Sequence, residues 1–255
     1  NAKWLLPKNW GKWLFFSSLF LDRLLKLKAD FVQCSGRFGA NQCEKIYGVS
    51  SSKIFILPNG VETDKFPMRP MPKDKKILFV GGSVHYKGLD ILLKAAPLIV
   101  KEHPDAKFVV IGEMEKKRDK ELMKIAEASD ASPMIEWIGL VSRNQMPDFY
   151  RQAYLVALPS RLDLFPLTAL EAMSSGVPLI ASSVGGLPEI LENGENGLLI
   201  EKEDPKKLAE AIIYLLDNPE KAKVMGERGR KIAEEKFSWG RIAESFEKEI
   251  YARLA

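Results

Sequence analysis

The sequence predicts an α/β protein: a Rossmann-like, mostly parallel sheet with helices on both faces, preceded by a shorter, separate α/β segment. Three observations carry this. From Lys75 onward, short apolar runs alternate with longer amphipathic ones, as in βα units whose strands are covered on both sides. Turn-forming residues follow the apolar runs, with Gly81, Gly112, Pro159 and Gly185 at or just beyond their ends. A link holding Pro67, Pro70 and Pro72 separates this region from a shorter strand–helix–strand pattern upstream.

In chain order, residues 1–28 are rich in Trp, Phe, Leu and Lys, with a helix expected from about Trp13. A strand is expected over 29–34, a helix over 37–47, and a strand over 53–57 that ends at the turn Pro58-Asn59-Gly60. After the proline link, strands are expected at 76–80, 107–111, 134–137, 154–158, 178–181 and 197–200, each a short apolar run. Between and after them, the amphipathic stretches 88–102, 118–128, 143–152, 167–175, 205–216, 221–236 and 239–255 are expected as helices. There is no internal repeat and no low-complexity segment.

Bulk properties exclude several classes. The chain has 255 residues, enough for one large or two small domains, and its apolar and charged fractions are ordinary. Charges of both signs are abundant, which fits thermal adaptation only weakly. The net charge is +4, and residues 1–28 alone hold six Lys or Arg against one Asp, so the remainder is near neutral and nucleic-acid binding is not expected. Cys34 and Cys43 give no disulfide framework, so a reducing cytoplasm is the expected location. With only His85 and His103, no Cys/His spacing suggests zinc. No signal-peptide pattern is seen, and the longest apolar run, residues 13–21, is broken by Ser17 and Ser18 and falls far short of a membrane span.

The chemistry concentrates in residues 159–189, PSRLDLFPLTALEAMSSGVPLIASSVGGLPE. This stretch reads as an acidic loop at Asp163, a helix opening near Pro166 with Glu171 about one turn in, a buried strand, and a turn at Gly185-Gly186. An open α/β sheet builds a ligand crevice at its strand ends from such parts. A helix N-terminus suits a phosphate, and ionised carboxylates, which only accept hydrogen bonds, suit hydroxyl groups. Together they describe a nucleotide sugar. Metal-dependent sugar transferases hold a divalent ion with paired carboxylates, but no Asp-x-Asp occurs here.

At these residues the chain resembles the C-terminal, donor-binding half of a family 4 (group 1) glycosyltransferase of the two-domain GT-B type, together with the end of its N-terminal domain. The family signature E-x7-E reads Asp163-x7-Glu171 here, followed by Ala172-Met173, Gly176, Pro178, Gly185-Gly186 and Pro188-Glu189. Upstream matches are Pro58-Asn59-Gly60-Val61-Glu62, Phe79-Val80-Gly81 and Lys87-Gly88-Leu89-Asp90; downstream are Asn196-Gly197-Leu198 and Phe237-Ser238-Trp239. Each is weak alone; their order and spacing make the signal.

The resemblance implies three parts: residues 1–62 ending an acceptor-binding domain, most of which would precede residue 1; residues 63–238 as donor domain; and 239–255 as a helix packing back toward the first domain. It implies a retaining, metal-independent transfer from a UDP- or GDP-linked sugar to a glycan or lipid hydroxyl, with no cofactor. Lys87 takes the diphosphate, close to Gly81 and Gly82. The family commonly has Arg where this chain has Gly82, and His85 or Arg161 would have to substitute. Glu171 takes the ribose hydroxyls and Asp163 the donor sugar. Phe165, Leu167 and Thr168 line the donor site, and Leu140 and Val141 lie in the base-binding loop. Lys87, Asp163 and Glu171 are the expected catalytic group. Asp163 stands where Glu is usual, and Pro166 removes one backbone N–H. No general base is visible, so acid/base and acceptor contacts would lie in the acceptor domain.

Simpler readings compete at each position: Lys87 as a solvated lysine, Glu171 as an acid favoured by the helix dipole, Asp163 as a helix cap, Gly185-Gly186 as a plain turn. Two rivals to transfer are a nucleotide-sugar-binding module without catalysis, which Gly82 and Pro166 favour, and a sugar-nucleotide epimerase, which two histidines supply poorly. Trp4, Trp10 and Trp13 among Lys3, Lys8, Lys12 and Lys26 suit either peripheral contact with an anionic membrane or packing on the acceptor domain; the second is favoured.

Overall fold

The computed structural model describes residues 29–113 and 116–254. The Trp- and Lys-rich segment 1–28, with its expected helix and membrane contact, lies outside the described residues. The chain divides into two compact units, the first ending at Leu57 and the second running from Pro58.

The described part of the first unit is a small βαβ element. Strands β1 (Val32–Cys34) and β2 (Ile54–Ile56) pair in parallel, joined through helix α1 (Arg37–Tyr47). Cys34, Val49 and Ile54 form its core, and the Cys34 and Cys43 sulfurs lie 3.6 Å apart. Phe31, Ile46 and Ile56 are exposed. Residues 51–53 form a 3-10 turn, so the second strand is shorter than expected.

The second unit is a six-stranded sheet in the order β5-β4-β3-β6-β7-β8, every pairing parallel. The strands are β3 (Lys76–Val80), β4 (Lys107–Ile111), β5 (Ile135–Gly139), β6 (Leu155–Leu158), β7 (Leu179–Ser182) and β8 (Leu198–Ile200). Helices are α2 (Leu89–Glu102), α3 (Lys116–Glu127), α4 (Met146–Gln152), α5 (Leu167–Ser174), α6 (Leu187–Ile190), α7 (Pro205–Asp217), α8 (Pro219–Ile232) and α9 (Trp239–Leu254).

Strand alternation sorts the core into two layers. Ile77, Phe79, Phe108, Val110, Leu155, Ala157 and Ile180 point to one face, against α2, α3 and α7. Leu78, Val109, Ile111, Val156, Leu158, Leu179 and Ala181 point to the other, against α4, α5 and α6. Every one of these residues is buried, which is why the strands read as continuous apolar runs. Gly81, Gly112, Pro159 and Gly185 all follow strand C-termini, as expected.

Several boundaries differ from expectation. The expected helix over 143–152 starts only at Met146, because Ser142 and Gln145 close a turn first and Pro147 sits at its start. The expected helix over 221–236 begins earlier, at Pro219 behind Asn218, and gives way to a π-turn over Ala233–Phe237. Residues 187–190, read as following a plain turn, are a short helix. The larger unit takes in residues 58–62, which were expected to end the other domain. Val61 bridges to Ser238 and donates its N–H to Phe237 O (2.8 Å), and the Trp239 ring lies against Gly60. Trp239, Phe246 and Tyr251 on α9 are exposed.

Candidate functional site

The strand order fixes where a crevice must lie. From β3 the chain runs outward to β4 and β5, then returns to add β6 on the other side of β3. Loops after β3 and β6 therefore leave in opposite directions, and the gap between them is the topological switch point. Both loops carry expected site residues: Gly81, Gly82 and Lys87 after β3, and Asp163 to Thr168 after β6.

The two loops are bonded across this gap. Lys87 Nζ donates to Asp163 Oδ2 at 2.7 Å, with the two side chains 19% and 10% exposed. The stem of Lys87 packs on the open face of Gly81. Lys87 ends a 3-10 turn (His85–Lys87), and Gly88 leads into α2. The anion that offsets a lysine at this helix start is thus Asp163 itself. Asp163 does not cap α5: Pro166 occupies the cap position, and its side chain caps nothing. Helix geometry leaves the first-turn amides of Leu167 and Thr168 without intrahelical acceptors.

Glu171 lies on the second turn of α5. Its Oε2 accepts a hydrogen bond from Tyr150 Oη at 2.9 Å. Burial pushes the Glu171 carboxyl up, while the Tyr150 bond and the charge of Arg143 pull it down, and burial prevails. Tyr150 itself is fully buried, its ring edge-on to Phe66 at 5.7 Å. Burial, then the Glu171 charge, push its phenol well above the ordinary range, so it remains a donor.

Arg161, one of the two side chains expected to stand in for the arginine absent at Gly82, is engaged by groups of the chain itself. Its guanidinium makes a two-pronged pair with Asp90 (2.8 and 2.8 Å), donates to Glu203 (2.9 Å), and reaches His85 O (2.9 Å). It is a structural tie between the loops after β3, β6 and β8. Glu203, its partner on the last loop, has φ 60, the one positive φ among described non-glycine residues.

The glycines are required by the protein's own backbone. At Gly185 (φ 56) and Gly186, a Cβ would strike the carbonyls of Asp163 and Leu164, and Gly186 N–H donates to Asp163 O at 2.9 Å. This turn braces the acidic loop, which accounts for the pair as a close intramolecular approach. Gly82 (φ 57) packs likewise on the Glu113 backbone, so the loop as built has no room for the side chain the family usually carries there.

The remaining expected residues fall as follows. The Phe165 ring is 5% exposed and packs edge-on against Phe237, while its carbonyl accepts from Asn59 Nδ2 (2.7 Å). Leu140, 74% exposed, and half-buried Val141 follow β5. Leu164 and Leu167 are exposed beside Asp163. Tyr150 and Arg143 went unnoticed in the sequence, since neither adjoins a motif.

Among the described residues, no three His, Cys, Asp or Glu side chains group to hold a metal ion, and no helix is long and apolar enough to cross a membrane. A cavity of about 400 Å³ opens elsewhere, between β8, α7 and α8. Its polar groups engage each other: Lys221 donates to Tyr214 Oη (2.6 Å) and Arg228 pairs with Glu195. Volume alone therefore does not locate the site.

Comparison with known proteins shows the family. Residues 50–232 match the family Glycosyl transferases group 1. An uncharacterised glycosyltransferase of Methanocaldococcus jannaschii is 37% identical over 178 residues, covering 70% of this chain and 48% of that protein. The chain spans about half the length of the curated relatives it matches. The C-terminal domain of a group 1 glycosyl transferase (LpcC) from Francisella tularensis superposes with TM-score 0.65 at 28% identity, covering 71% of this chain and 100% of that one. HepE of Anabaena, solved with UDP, superposes with TM-score 0.83 at 19% identity over 92% of this chain and 68% of that one. The chain belongs to the group 1 glycosyl transferases, with the α/β architecture of the GT-B fold.

Proposed function

We propose that this chain carries the donor-binding half of a family 4-type glycosyltransferase, which moves a sugar from a nucleoside diphosphate to an acceptor hydroxyl. One observation carries the reading: the Lys87–Asp163 pair spans the switch point between β3 and β6, beside the helix bearing Glu171. Lys87 offers its ammonium to the diphosphate, with the first-turn amides of Leu167 and Thr168 as further donors. Glu171 accepts from the ribose hydroxyls. Asp163 faces the transferred sugar, and the backbone of Leu140 and Val141 borders the base.

Charge developing on the leaving diphosphate is met by Lys87 and a helix N-terminus rather than by a metal ion. Diphosphate binding draws Lys87 away from Asp163, leaving that carboxylate for the sugar. Retention of configuration, a cytoplasmic setting and an acceptor domain supplied by further sequence belong to the same proposal. A binding module without catalysis is the less favoured reading, because the relatives are glycosyltransferases.

Calorimetry with UDP, GDP and ADP, with and without EDTA, tests the donor site; UDP comes first because HepE was solved with it. Binding of at least one, unchanged by EDTA, is expected. No binding, or binding abolished by EDTA, overturns the reading.

A further inference from the structure

We infer that Tyr150 is a positioning residue for nucleotide recognition, holding the Glu171 carboxylate in the orientation that selects ribose hydroxyls. The inference rests on the donor-site reading above and adds to it a residue from a different helix.

Three observations carry it. Tyr150 Oη donates to Glu171 Oε2 at 2.9 Å and lies 3.5 Å from Thr168 O, so one phenol meets both the carboxylate and the first turn of α5. The ring has no freedom to move: it is 0% exposed and edge-on to Phe66. Phe66 is itself fixed, its carbonyl accepting from Ser174 Oγ (2.8 Å) and Arg230 Nη1 (2.8 Å). The phenol therefore has a rigid mount, whereas a glutamate on a helix surface has three side-chain torsions to fix.

The chemistry follows from counting acceptor sites. A carboxylate has about four lone-pair directions over two oxygens. Tyr150 occupies one direction on Oε2, which pins the plane of the group and leaves Oε1 and the rest of Oε2 to a pair of vicinal hydroxyls. A core tyrosine needs no such partner to pack; phenylalanine would fill the same volume. The hydroxyl also opposes the effect of burial on Glu171, favouring the ionised acceptor. Among described residues, Arg143, just before α4, is the other charge acting on Glu171, while Arg230 of α8 engages the far end of α5 at Ser174.

The test is Tyr150→Phe, read as the ratio of affinities for UDP and 2′,3′-dideoxy-UDP (GDP and its dideoxy form if GDP binds better). Wild type should prefer the ribonucleotide by at least about tenfold, the worth of charged hydrogen bonds to the diol. Tyr150→Phe should keep its affinity for the dideoxy form and lose about fivefold on the ribonucleotide. A general packing defect would weaken both equally. Retained discrimination in a folded Tyr150→Phe overturns the positioning role and leaves the donor site standing. Absence of discrimination in wild type, or of any binding, overturns the Glu171 assignment and this inference with it.

Should Tyr150→Phe fail to fold, tyrosine ¹³Cζ NMR of the wild-type chain decides. The resonance that moves in Glu171→Gln is Tyr150, and saturating UDP should move it while the dideoxy form leaves it in place. A resonance unmoved by UDP overturns the inference.

Discussion

Replacing Arg161 by Met removes the tie between the three loops at the crevice, and its cost can be worked from the contacts. Arg161 and Asp90 are 17% and 14% exposed, and two 2.8 Å bonds join them. Breaking a fully buried pair costs about 3–5 kcal/mol, mostly from the charge left behind. Here some water reaches both groups, which brings the figure to roughly 2–3 kcal/mol. The bond to Glu203, whose side chain is 56% exposed, adds only a few tenths.

The loss should depend on pH. Burial alone would raise the Asp90 carboxyl, but the hydrogen bonds and charge of Arg161, with Lys94, hold it below its ordinary 3.8. A depressed folded-state pKa contributes stability that is complete above the unfolded value and lost as pH falls through the folded one. In the variant, burial acts unopposed by Arg161, so Asp90 takes up its proton at higher pH and relieves the defect. The gap between wild type and Arg161→Met should be constant from pH 8 to 6 and narrow through the carboxylate range below. Thermal melts followed by circular dichroism at pH 7 should show a drop on the order of 5–10 °C. A gap under about 0.5 kcal/mol, or one indifferent to pH down to 4, would refute the reasoning.

Three further outcomes are expected. Lys87→Met should weaken UDP binding by roughly 1.5–3 kcal/mol, the loss of a charge-assisted bond, with calorimetry as the check; it also leaves the nearly buried Asp163 unpaired and should lower the melting temperature at pH 7, as in Arg161→Met. Gly82→Arg, which restores the family's usual residue, should destabilise the chain by at least about 1–2 kcal/mol, because φ is 57 and the Glu113 backbone occupies the Cβ position; a stable variant with tighter UDP binding would show that the loop rearranges. The two carboxylates should separate: Glu171→Gln weakens UDP and UDP-sugar alike, whereas Asp163→Asn releases Lys87, leaves UDP binding equal or tighter, and lowers only the ratio of UDP-sugar to UDP affinity. Equal losses on both ligands for Asp163→Asn would remove Asp163 from the sugar side.

Legibility from sequence followed the range of the interactions. Strands β3 and β4 fall on their expected residues because both faces are buried, and apolar runs such as KILFV and KFVVI admit few other readings. A crevice at the strand ends was legible because βα order and the glycine and proline punctuation place it, whereas the strand order that sets the switch point between β3 and β6 was not. Side-chain partnerships were not. Lys87 and Asp163 are 76 residues apart, and Glu171 and Tyr150 are 21 apart across separate helices. Arg161 was read as a stand-in for the family's arginine because nothing local reveals that Asp90 and Glu203 converge on it. The break at Ala233 within the amphipathic run 221–236 was hidden, since a π-turn keeps the apolar spacing of Ala233 and Phe237 toward the core. Gly185-Gly186 read locally as a plain turn; that the pair braces the acidic loop depends on the backbone of Asp163 and Leu164, absent from any local pattern.

The most direct measurement is a ¹H–¹⁵N titration of the chain with UDP, or with GDP if it binds more tightly. Amide shifts should concentrate at Gly81, Gly82 and Lys87, at Asp163 through Glu171, and at Leu140 and Val141, all at the carboxyl ends of the strands. Shifts confined to the cavity around Leu198, Tyr214 and Arg228, with Lys87 and Glu171 unmoved, would contradict a donor site at the switch point.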